Sequence, residues 1–162
     1  MTSVLPKALF PLVNGRGQCR SVAHWICAAA AQAGIDELAL VVSPHHEPMI
    51  RSYFAAAANA SPALVRDIQY ILQDGPGGLG DAVARCEDFV GAEPFVMLLG
   101  DHVYIDPPRG LSCIAQVVRA FETRGGAAMI GMQAVDKHEL SRVGVAGGEP
   151  LHLQHQASSS PR

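Results

Sequence analysis

The sequence predicts an α/β fold in which helices cover both faces of a mostly parallel sheet. Strand-like runs alternate with helix-like segments along most of the chain, and this alternation is typical of parallel sheets. Two of the runs, residues 38–42 and 95–99, are apolar throughout, as expected of strands that are buried on both faces. The chain has 162 residues, which suits one domain with a sizeable core.

The first half of the chain is predicted to form an extended segment followed by two helix–strand units. Pro6 and Pro11 interrupt residues 6–14, which we expect to be an extended segment or an edge strand. The first helix begins after Ser21, which can cap it, and ends at Gly34. The elements predicted next are a strand at 38–42, a helix from Glu47 to about Ala58 and a strand at 67–72.

The second half continues the alternation. A helix after a glycine-rich loop is predicted to place four residues on one side: Ala82, Val83, Cys86 and Val90. After the apolar run at 95–99, a further helix ends at Gly125 and residues 127–132 form one more strand. Residues 1–150 make up the predicted domain. Residues 151–162 show no periodicity and contain three consecutive serines, so we expect a disordered tail.

Composition limits the classes of partner. Apolar residues make up 49% of the chain and charged residues 17%, as in ordinary globular proteins. The net charge of −3, without a cluster of Lys and Arg, argues against nucleic acid as a partner. No apolar run approaches the roughly 18 residues of a membrane-spanning helix, and the N-terminus lacks a signal-peptide pattern. We therefore expect neither nucleic acid nor a membrane as partner, and the sequence leaves a homo-oligomer open.

The four cysteines are scattered along the chain and form no Cys-x-x-Cys pair: Cys19, Cys27, Cys86 and Cys113. In a helix-rich chain this distribution favours reduced core thiols over disulfides or zinc ligands. It predicts a cytoplasmic protein.

A glycine-rich loop at residues 73–80 is the first candidate for a binding site. Five of its eight residues are Gly or Pro, and it lies between a predicted strand and a predicted helix. Glycine lets a base or phosphate lie against the backbone, and Gln73 adds an amide that can donate to and accept from a base edge. Taken alone, the loop favours a plain surface turn, because a loose glycine motif is weak evidence.

An acid at the end of the next predicted strand is the second candidate. Residues 95–99 lead into Gly100 and Asp101, and open α/β sheets place ligands at the carboxyl ends of their strands. Asp101 suits a turn, and it also suits Mg²⁺, which takes one or two carboxylates plus phosphate oxygens. The loop and the acid at consecutive strand ends together favour a nucleotide site.

Three segments resemble motifs of the sugar-phosphate nucleotidyltransferases, in the same order. Residues 73–83, Gln-Asp-Gly-Pro-Gly-Gly-Leu-Gly-Asp-Ala-Val, are similar to Gln-x-x-Pro-x-Gly-Leu-Gly-x-Ala-Val. Residues 6–13, Pro-Lys-Ala-Leu-Phe-Pro-Leu-Val, are similar to Pro-Lys-x-Met-x-Pro-Val, and residues 91–101 complete the pattern. The resemblance runs from about Leu5 to Gly147 and is nearest to the UTP–glucose-1-phosphate uridylyltransferases, or UDP-glucose pyrophosphorylases. It implies a Rossmann-like nucleotidyltransferase fold.

The resemblance also implies roles for the residues at matching positions. Gln73 and Gly78 would contact the uracil base. The implied nucleotide-binding positions are Gln73, Pro76, Gly78 and Gly100. Asp101 would hold the cofactor Mg²⁺ beside the nucleotide phosphates, Lys7 would neutralise the charge of the triphosphate, and both are therefore the implied catalytic residues. Gly144 would approach the sugar.

The implied reaction joins UTP and glucose-1-phosphate. An oxygen of glucose-1-phosphate would attack the α-phosphorus of UTP and release pyrophosphate. Positioning and charge neutralisation would supply most of the catalysis, without a covalent intermediate.

The sequence departs from the family pattern towards both ends. Six residues precede Lys7, and the family's Gly-x-Gly-Thr-Arg phosphate loop is not among them. Residues 14–20, Asn-Gly-Arg-Gly-Gln-Cys-Arg, stand before a helix and imitate that loop, whereas their spacing aligns them with the family's Asp-Lys-Pro turn. The downstream Glu-Lys-Pro segment and the second metal acid are not found either. We therefore expect an incomplete version of the fold.

Other functions stay open beside this one. A thymidylyl-, cytidylyl- or adenylyltransferase acting on another sugar-1-phosphate is one, because Gln73 and Gly78 do not choose among bases. A non-catalytic sugar-nucleotide-binding remnant also fits the missing segments. A glycosyltransferase is disfavoured, because the sequence Asp101-His102-Val103 lacks the Asp-x-Asp metal motif.

Overall fold

Two short sheets and a series of helices make up the described part of the chain. The computed structural model describes residues 5–60, 67–107, 109–133, 136 and 138. The chain separates into two compact units, Met1–Ile105 and Asp106–Arg162. The first unit contains, in order, a 3-10 turn at Lys7–Leu9, β1 (Pro11–Val13), β2 (Cys19–Ser21), α1 (Val22–Gln32), β3 (Glu37–Val42), α2 (Glu47–Ala60), β4 (Asp67–Leu72), α3 (Gly78–Ala84) and α4 (Glu87–Val90). The second unit contains α5 (Cys113–Arg124).

Strands β1 and β2 form an antiparallel pair near the N-terminus. Pro11 lies opposite Ser21, and Val13 lies opposite Cys19. In a two-stranded sheet every strand has a free edge, so a proline is tolerated at the start of β1. The prediction of an extended or edge segment at residues 6–14 is confirmed for Pro11–Val13 and wrong for Lys7–Leu9, which form a 3-10 turn.

Helix α1 begins and ends where the sequence places it. The Ser21 Oγ accepts a hydrogen bond from the backbone N–H of His24 at 3.1 Å, as an N-cap does. Two residues after the helix, Gly34 adopts a φ of +86°, which favours glycine. The buried face of α1 is made by Val22, Ala23, His24, Ile26, Cys27 and Ala30.

Strands β3 and β4 form the parallel sheet that positions the candidate site. The register runs from Glu37 opposite Asp67 to Val42 opposite Leu72, and α2 connects the two strands. This strand–helix–strand unit confirms the predicted parallel pairing. One core cluster links the sheet to the helices and the N-terminal turn; it contains Leu9, Ala23, Cys27, Val42, Ile50 and Phe54.

The predicted strands at 95–99 and 127–132 are wrong: neither segment is a strand in the structure. Phe95 is 57% exposed and Ile130 is 78% exposed, so these segments are not buried either. A strand needs a hydrogen-bonded neighbour and cover for its apolar side chains. Within the described residues β3 and β4 pair only with each other, so apolar composition alone does not order either segment.

The helix predicted after the glycine loop is divided in two. The backbone N–H of Cys86 donates to the carbonyl of Val83 at 2.9 Å, a three-residue step that ends α3 before α4 begins at Glu87. Helix α5 in the second unit agrees with its prediction. The Ser112 Oγ caps α5 by accepting from the N–H of Ala115 at 3.2 Å, and Gly125 ends it with a φ of +67°.

The four cysteines form no disulfide in the described part of the chain, and they are not all in the core. Cys27 is buried, Cys86 and Cys113 are half-buried and Cys19 is exposed. Burial raises the pKa of Cys27 to about 12, so this thiol stays protonated at neutral pH. The expectation of a core thiol is therefore wrong for Cys19, which is exposed at the start of β2.

None of the helices in the described ranges combines the length and the hydrophobicity that crossing a bilayer requires. The predicted tail at 151–162 and the predicted sugar contact Gly144 lie outside the described residues.

Candidate functional site

Gln73 is held in place by its backbone and by its side chain. It follows the last residue of β4, and its backbone N–H donates to the carbonyl of Val42 on β3 at 2.9 Å. Its side-chain Nε2 donates to the Gly78 carbonyl at 2.9 Å and to the Asp81 carboxylate at 2.8 Å. Both amide hydrogens are therefore used within the protein, and the Oε1 accepts no hydrogen bond from any described residue.

Arg85 ties the ends of the glycine loop together. Its Nε donates to the same Asp81 oxygen, Oδ2, at 2.9 Å, and its Nη1 donates to the carbonyl of Leu72 at 3.1 Å. Its Nη2 lies 3.1 Å from the Asp74 carboxylate, inside the loop. One guanidinium thus joins the end of β4, the loop and α3.

The Asp81 carboxylate is the centre of this network. Hydrogen bonds from Gln73 and then from Arg85 lower the pKa of Asp81, so it is ionised at neutral pH. We call Gln73, Asp81 and Arg85 the amide clamp, because Asp81 accepts from the amide of Gln73 and Arg85 holds Asp81.

Three glycines of the loop leave space beside its backbone, and at a fourth glycine that space is occupied by the Asp81 side chain. A Cβ added at Gly75, Gly78 or Gly80 would meet no atom within 4 Å, so a flat ligand has access to the backbone there. Gly78 also adopts a φ of +72°, which side chains rarely allow. At Gly77, in contrast, a Cβ would lie 2.5 Å from the Asp81 carboxylate. The clamp therefore requires glycine at position 77.

Asp101 and Gly100 lie in an exposed turn. The turn is closed by the N–H of His102, which donates to the Leu99 carbonyl at 3.1 Å. The Asp101 side chain is 58% exposed, and its Oδ1 lies 3.9 Å from the Nε2 of His102. In the ranges that the structure describes, no group of three His, Cys, Asp or Glu side chains could hold a metal ion. A single accessible carboxylate fits a Mg²⁺ ion that takes its other ligands from water and nucleotide phosphates.

The predicted site residues fall into three segments of the first unit. Gln73, Pro76 and Gly78 lie together in the glycine loop, and Lys7 is exposed on the 3-10 turn. Among the described residues, no hydrogen bond or ion pair joins Lys7 or Asp101 to the loop.

Sequence reasoning missed Asp81 and Arg85 as functional candidates. The signal was present, since an acid and an arginine four residues apart on a helical segment face each other and form an ion pair.

The loop between β1 and β2 uses its backbone amides internally. The Asn14 Oδ1 accepts from the N–H of Arg16 at 3.0 Å and of Gln18 at 2.9 Å, and the Asn14 carbonyl accepts from Gly17 at 3.0 Å. A phosphate loop offers such amides to its ligand. The folded geometry therefore favours a plain turn at residues 14–20 over an imitation of the phosphate loop.

Relatives of known name are similar to most of this chain. A UTP–glucose-1-phosphate uridylyltransferase of Mycoplasma pneumoniae is 30% identical over 172 residues, which cover 96% of this chain and 56% of the relative. UTP–glucose-1-phosphate uridylyltransferase YngB of Bacillus subtilis is 27% identical over 161 residues, which cover 89% of this chain and 51% of the relative. The chain thus spans about half the length of the curated relatives that it matches.

Solved structures share the fold. A UDP-glucose pyrophosphorylase from Acinetobacter baumannii matches with a TM-score of 0.63 at 20% identity, over 76% of this chain and 47% of that one. A UDP-glucose pyrophosphorylase complexed with UDP-glucose matches with a TM-score of 0.61 at 24% identity, over 75% and 47%. These matches confirm the α/β nucleotidyltransferase fold. The model of the nucleotidyl transferase family matches residues 1–151, and the chain belongs to that family.

Proposed function

We propose that this chain transfers a uridylyl group from UTP to glucose-1-phosphate, giving UDP-glucose and pyrophosphate, with Mg²⁺ as cofactor. The observation that carries the proposal is the Gln73 amide, fixed by two hydrogen bonds beside an open glycine backbone. Such a surface suits a flat nucleobase that is read along its edge. The substrates are those in the names of the relatives that the chain resembles.

The glycine loop would bind the base end of the nucleotide. Gly75, Gly78 and Gly80 leave room against the backbone, and the Oε1 of Gln73 is available to a donor on the base. Pro76 restricts the backbone within the loop, and α3 and β4 hold its two ends. The loop would therefore place the α-phosphorus without large rearrangement of its own residues.

The chemistry would be a displacement at phosphorus. A phosphate oxygen of glucose-1-phosphate forms a bond to the α-phosphorus of UTP, and the bond from the α-phosphorus to the bridging oxygen of the β-phosphate breaks. Pyrophosphate leaves with that electron pair. The Lys7 ammonium group, exposed on the 3-10 turn, would offset the negative charge of the triphosphate.

Asp101 would hold the metal in this reaction. Its exposed carboxylate can take the ion together with phosphate oxygens, and Gly100 keeps the turn beside it free of a side chain. When bound, Mg²⁺ would neutralise phosphate charge and polarise the phosphoryl oxygens.

The test is pyrophosphate release from UTP, glucose-1-phosphate and Mg²⁺. We expect Asp101→Asn to lower Mg²⁺-dependent release by at least about 100-fold, because the ion loses its protein ligand. Asp88→Asn is the matched control, since it removes another exposed carboxylate, on α4, and should keep full activity. Undiminished release by Asp101→Asn would exclude Asp101 as the metal ligand.

The same assay separates the alternatives. Faster release from dTTP, CTP or ATP than from UTP would assign another base, and other sugar-1-phosphates test the sugar. Binding of UTP without any release would assign a sugar-nucleotide-binding protein. That second candidate is favoured by one feature: the base-binding loop is held by a network of hydrogen bonds, whereas the side chains of Lys7 and Asp101 are exposed on other segments.

A further inference from the structure

The amide clamp fixes which atom of Gln73 a ligand can reach. A glutamine amide has two N–H donors and one carbonyl acceptor. Here the Gly78 carbonyl and the Asp81 Oδ2 occupy both donors, at 2.9 and 2.8 Å. What remains for a ligand is an acceptor.

The amide cannot exchange its two ends in this setting. Turning it by half a rotation would place the Oε1 against the Gly78 carbonyl and the Asp81 carboxylate, which are both acceptors. Two such contacts are repulsive, so the assignment of the oxygen and nitrogen follows from the partners. Of these two repulsive contacts, the one with Asp81 involves a charged carboxylate.

Arg85 holds the Asp81 carboxylate in position. It donates to the Oδ2 that also accepts from Gln73, and it is anchored in turn on the Leu72 carbonyl and on Asp74. The side chains of Arg85 and Asp81 are 36% and 34% exposed, so the pair is partly shielded by the loop. Gly77 leaves the space that the Asp81 carboxylate fills.

We infer that Asp81 and Arg85 are positioning residues that make Gln73 a pure hydrogen-bond acceptor, so that the site selects a base offering a ring N–H. The inference rests on the proposed function. Uracil carries a hydrogen on N3, whereas N3 of cytosine is an acceptor and would face the Gln73 oxygen without a hydrogen. The clamp thereby makes the site prefer uracil over cytosine, a preference that Gln73 and Gly78 alone do not determine.

The first measurement uses the protein without nucleotide. In ¹⁵N-labelled protein, hydrogen exchange at the side-chain amide of Gln73 is compared with exchange at the side-chain amide of Gln69. Gln69 is the reference because it is exposed on β4 and its side chain makes no hydrogen bond to another described residue. We expect exchange at Gln73 to be slower by about fivefold or more, and Asp81→Ala to remove the difference. Equal rates at Gln73 in the wild-type and Asp81→Ala proteins would overturn the clamp.

The second measurement is the ratio of the dissociation constants for CTP and UTP, obtained by calorimetry with Mg²⁺. We expect UTP to bind at least about tenfold more tightly than CTP, because bound cytosine would leave two acceptors, its N3 and the Gln73 Oε1, facing each other. In Asp81→Ala one N–H of the Gln73 amide is released and can donate to N3 of cytosine, so the ratio should fall to within about threefold. Asp88→Ala, on α4, should leave the ratio at the wild-type value.

A double-mutant comparison separates positioning from general support of the loop. If Asp81 acts through Gln73, adding Asp81→Ala to Gln73→Ala changes the ratio no further. A merely structural role would weaken both nucleotides alike and leave the ratio as it is. Asp81→Asn keeps an oxygen that can accept from Gln73, so it should restore most of the selectivity that Asp81→Ala loses.

The outcomes distinguish this inference from the function on which it rests. If the wild-type protein binds neither nucleotide, the proposed function and the base selection both fail, and amide exchange still decides whether the clamp exists. If UTP binds and Asp81→Ala keeps the full ratio, the positioning role is overturned while the proposed function stands.

Discussion

Two segments of this chain look alike in sequence and differ in structure. Residues 67–72 and 95–99 are both strand-like runs followed closely by an acid and a glycine, Asp74 and Gly75 in the first case and Gly100 and Asp101 in the second. The first becomes β4, paired along its whole length with β3, and its loop is fixed by the amide clamp. The second stays unpaired among the described residues, with Phe95 57% exposed and Asp101 in an open turn. The hydrogen-bonded partner, rather than the apolar run, makes the difference.

The same contrast divides the candidate site. On the side of the glycine loop, the backbone of Gln73 is bound to β3 and its side chain is bound to α3. On the side of Asp101, the carboxylate lies 3.9 Å from the Nε2 of the neighbouring His102. Residues proposed to bind the base are thus held before a ligand arrives, and the residue proposed to hold the metal is accessible to solvent.

The largest expected effect comes from removing a phenylalanine from each region. Phe54 is 5% exposed within the core cluster, so Phe54→Ala should lower the free energy of unfolding by about 3–5 kcal/mol. Phe95→Ala removes the same side chain from an exposed position and should change the free energy of unfolding by no more than about 0.5–1 kcal/mol. Urea unfolding of both variants measures the two values. A loss at Phe95 as large as that at Phe54 would show that residues 95–99 are buried in solution, as the sequence alone predicts.

Much of the fold could be predicted from local signals. The N-cap at Ser21, the positive φ at Gly34 and the bounds of β4 all follow from residue types and spacing. Residues 95–99 could not be predicted in this way. Their apolar composition says that they favour burial, but whether they find a partner strand depends on pairing between distant segments, which no local pattern contains.

The site shows the same limit. The motif alone predicts Gln73 and the glycines of its loop as binding residues, and that role stays a prediction. Asp81 and Arg85 could not be predicted as site residues. An acid–arginine pair at helical spacing is common on exposed helices, and the spacing does not tell which other residue the pair contacts. Only the structure shows that both Gln73 and Arg85 donate to one Asp81 oxygen.

A smaller effect tests how tightly the glycine loop is built. In Gly77→Ala the new methyl group would lie 2.5 Å from the Asp81 carboxylate, although the φ of −69° suits alanine. We expect a loss of about 1–3 kcal/mol in the free energy of unfolding, because Asp81 or the start of α3 must shift. Gly75→Ala is the matched control: no atom lies within 4 Å of its Cβ position, so the change should stay within about 0.5 kcal/mol. Equal effects at both positions, measured by urea unfolding, would contradict the close packing of Asp81 on Gly77.

The smallest effect is a pH dependence that belongs to the clamp. Hydrogen bonds from Gln73 and from Arg85 hold the pKa of Asp81 below its ordinary value of 3.8 in the folded protein. The folded state therefore binds fewer protons than the unfolded state between the two pKa values, and the stability that Asp81 contributes is lost as the pH falls through that window. Above about pH 5 the contribution is complete, so stability measured near neutral pH shows no pH dependence from Asp81.

Arg85→Leu and Gln73→Ala each remove one of the donors to Asp81. In either variant we expect the pKa of Asp81, followed by NMR of its carboxyl carbon, to move up towards 3.8. Because the window between folded and unfolded pKa values narrows, the loss of stability below about pH 4 should also become shallower in both variants. A pKa of Asp81 that is the same in all three proteins would mean that neither donor reaches the carboxylate in solution. The glycine loop would then be as loosely held as the turn at Asp101, and the contrast between the two segments would reduce to the pairing of β3 with β4.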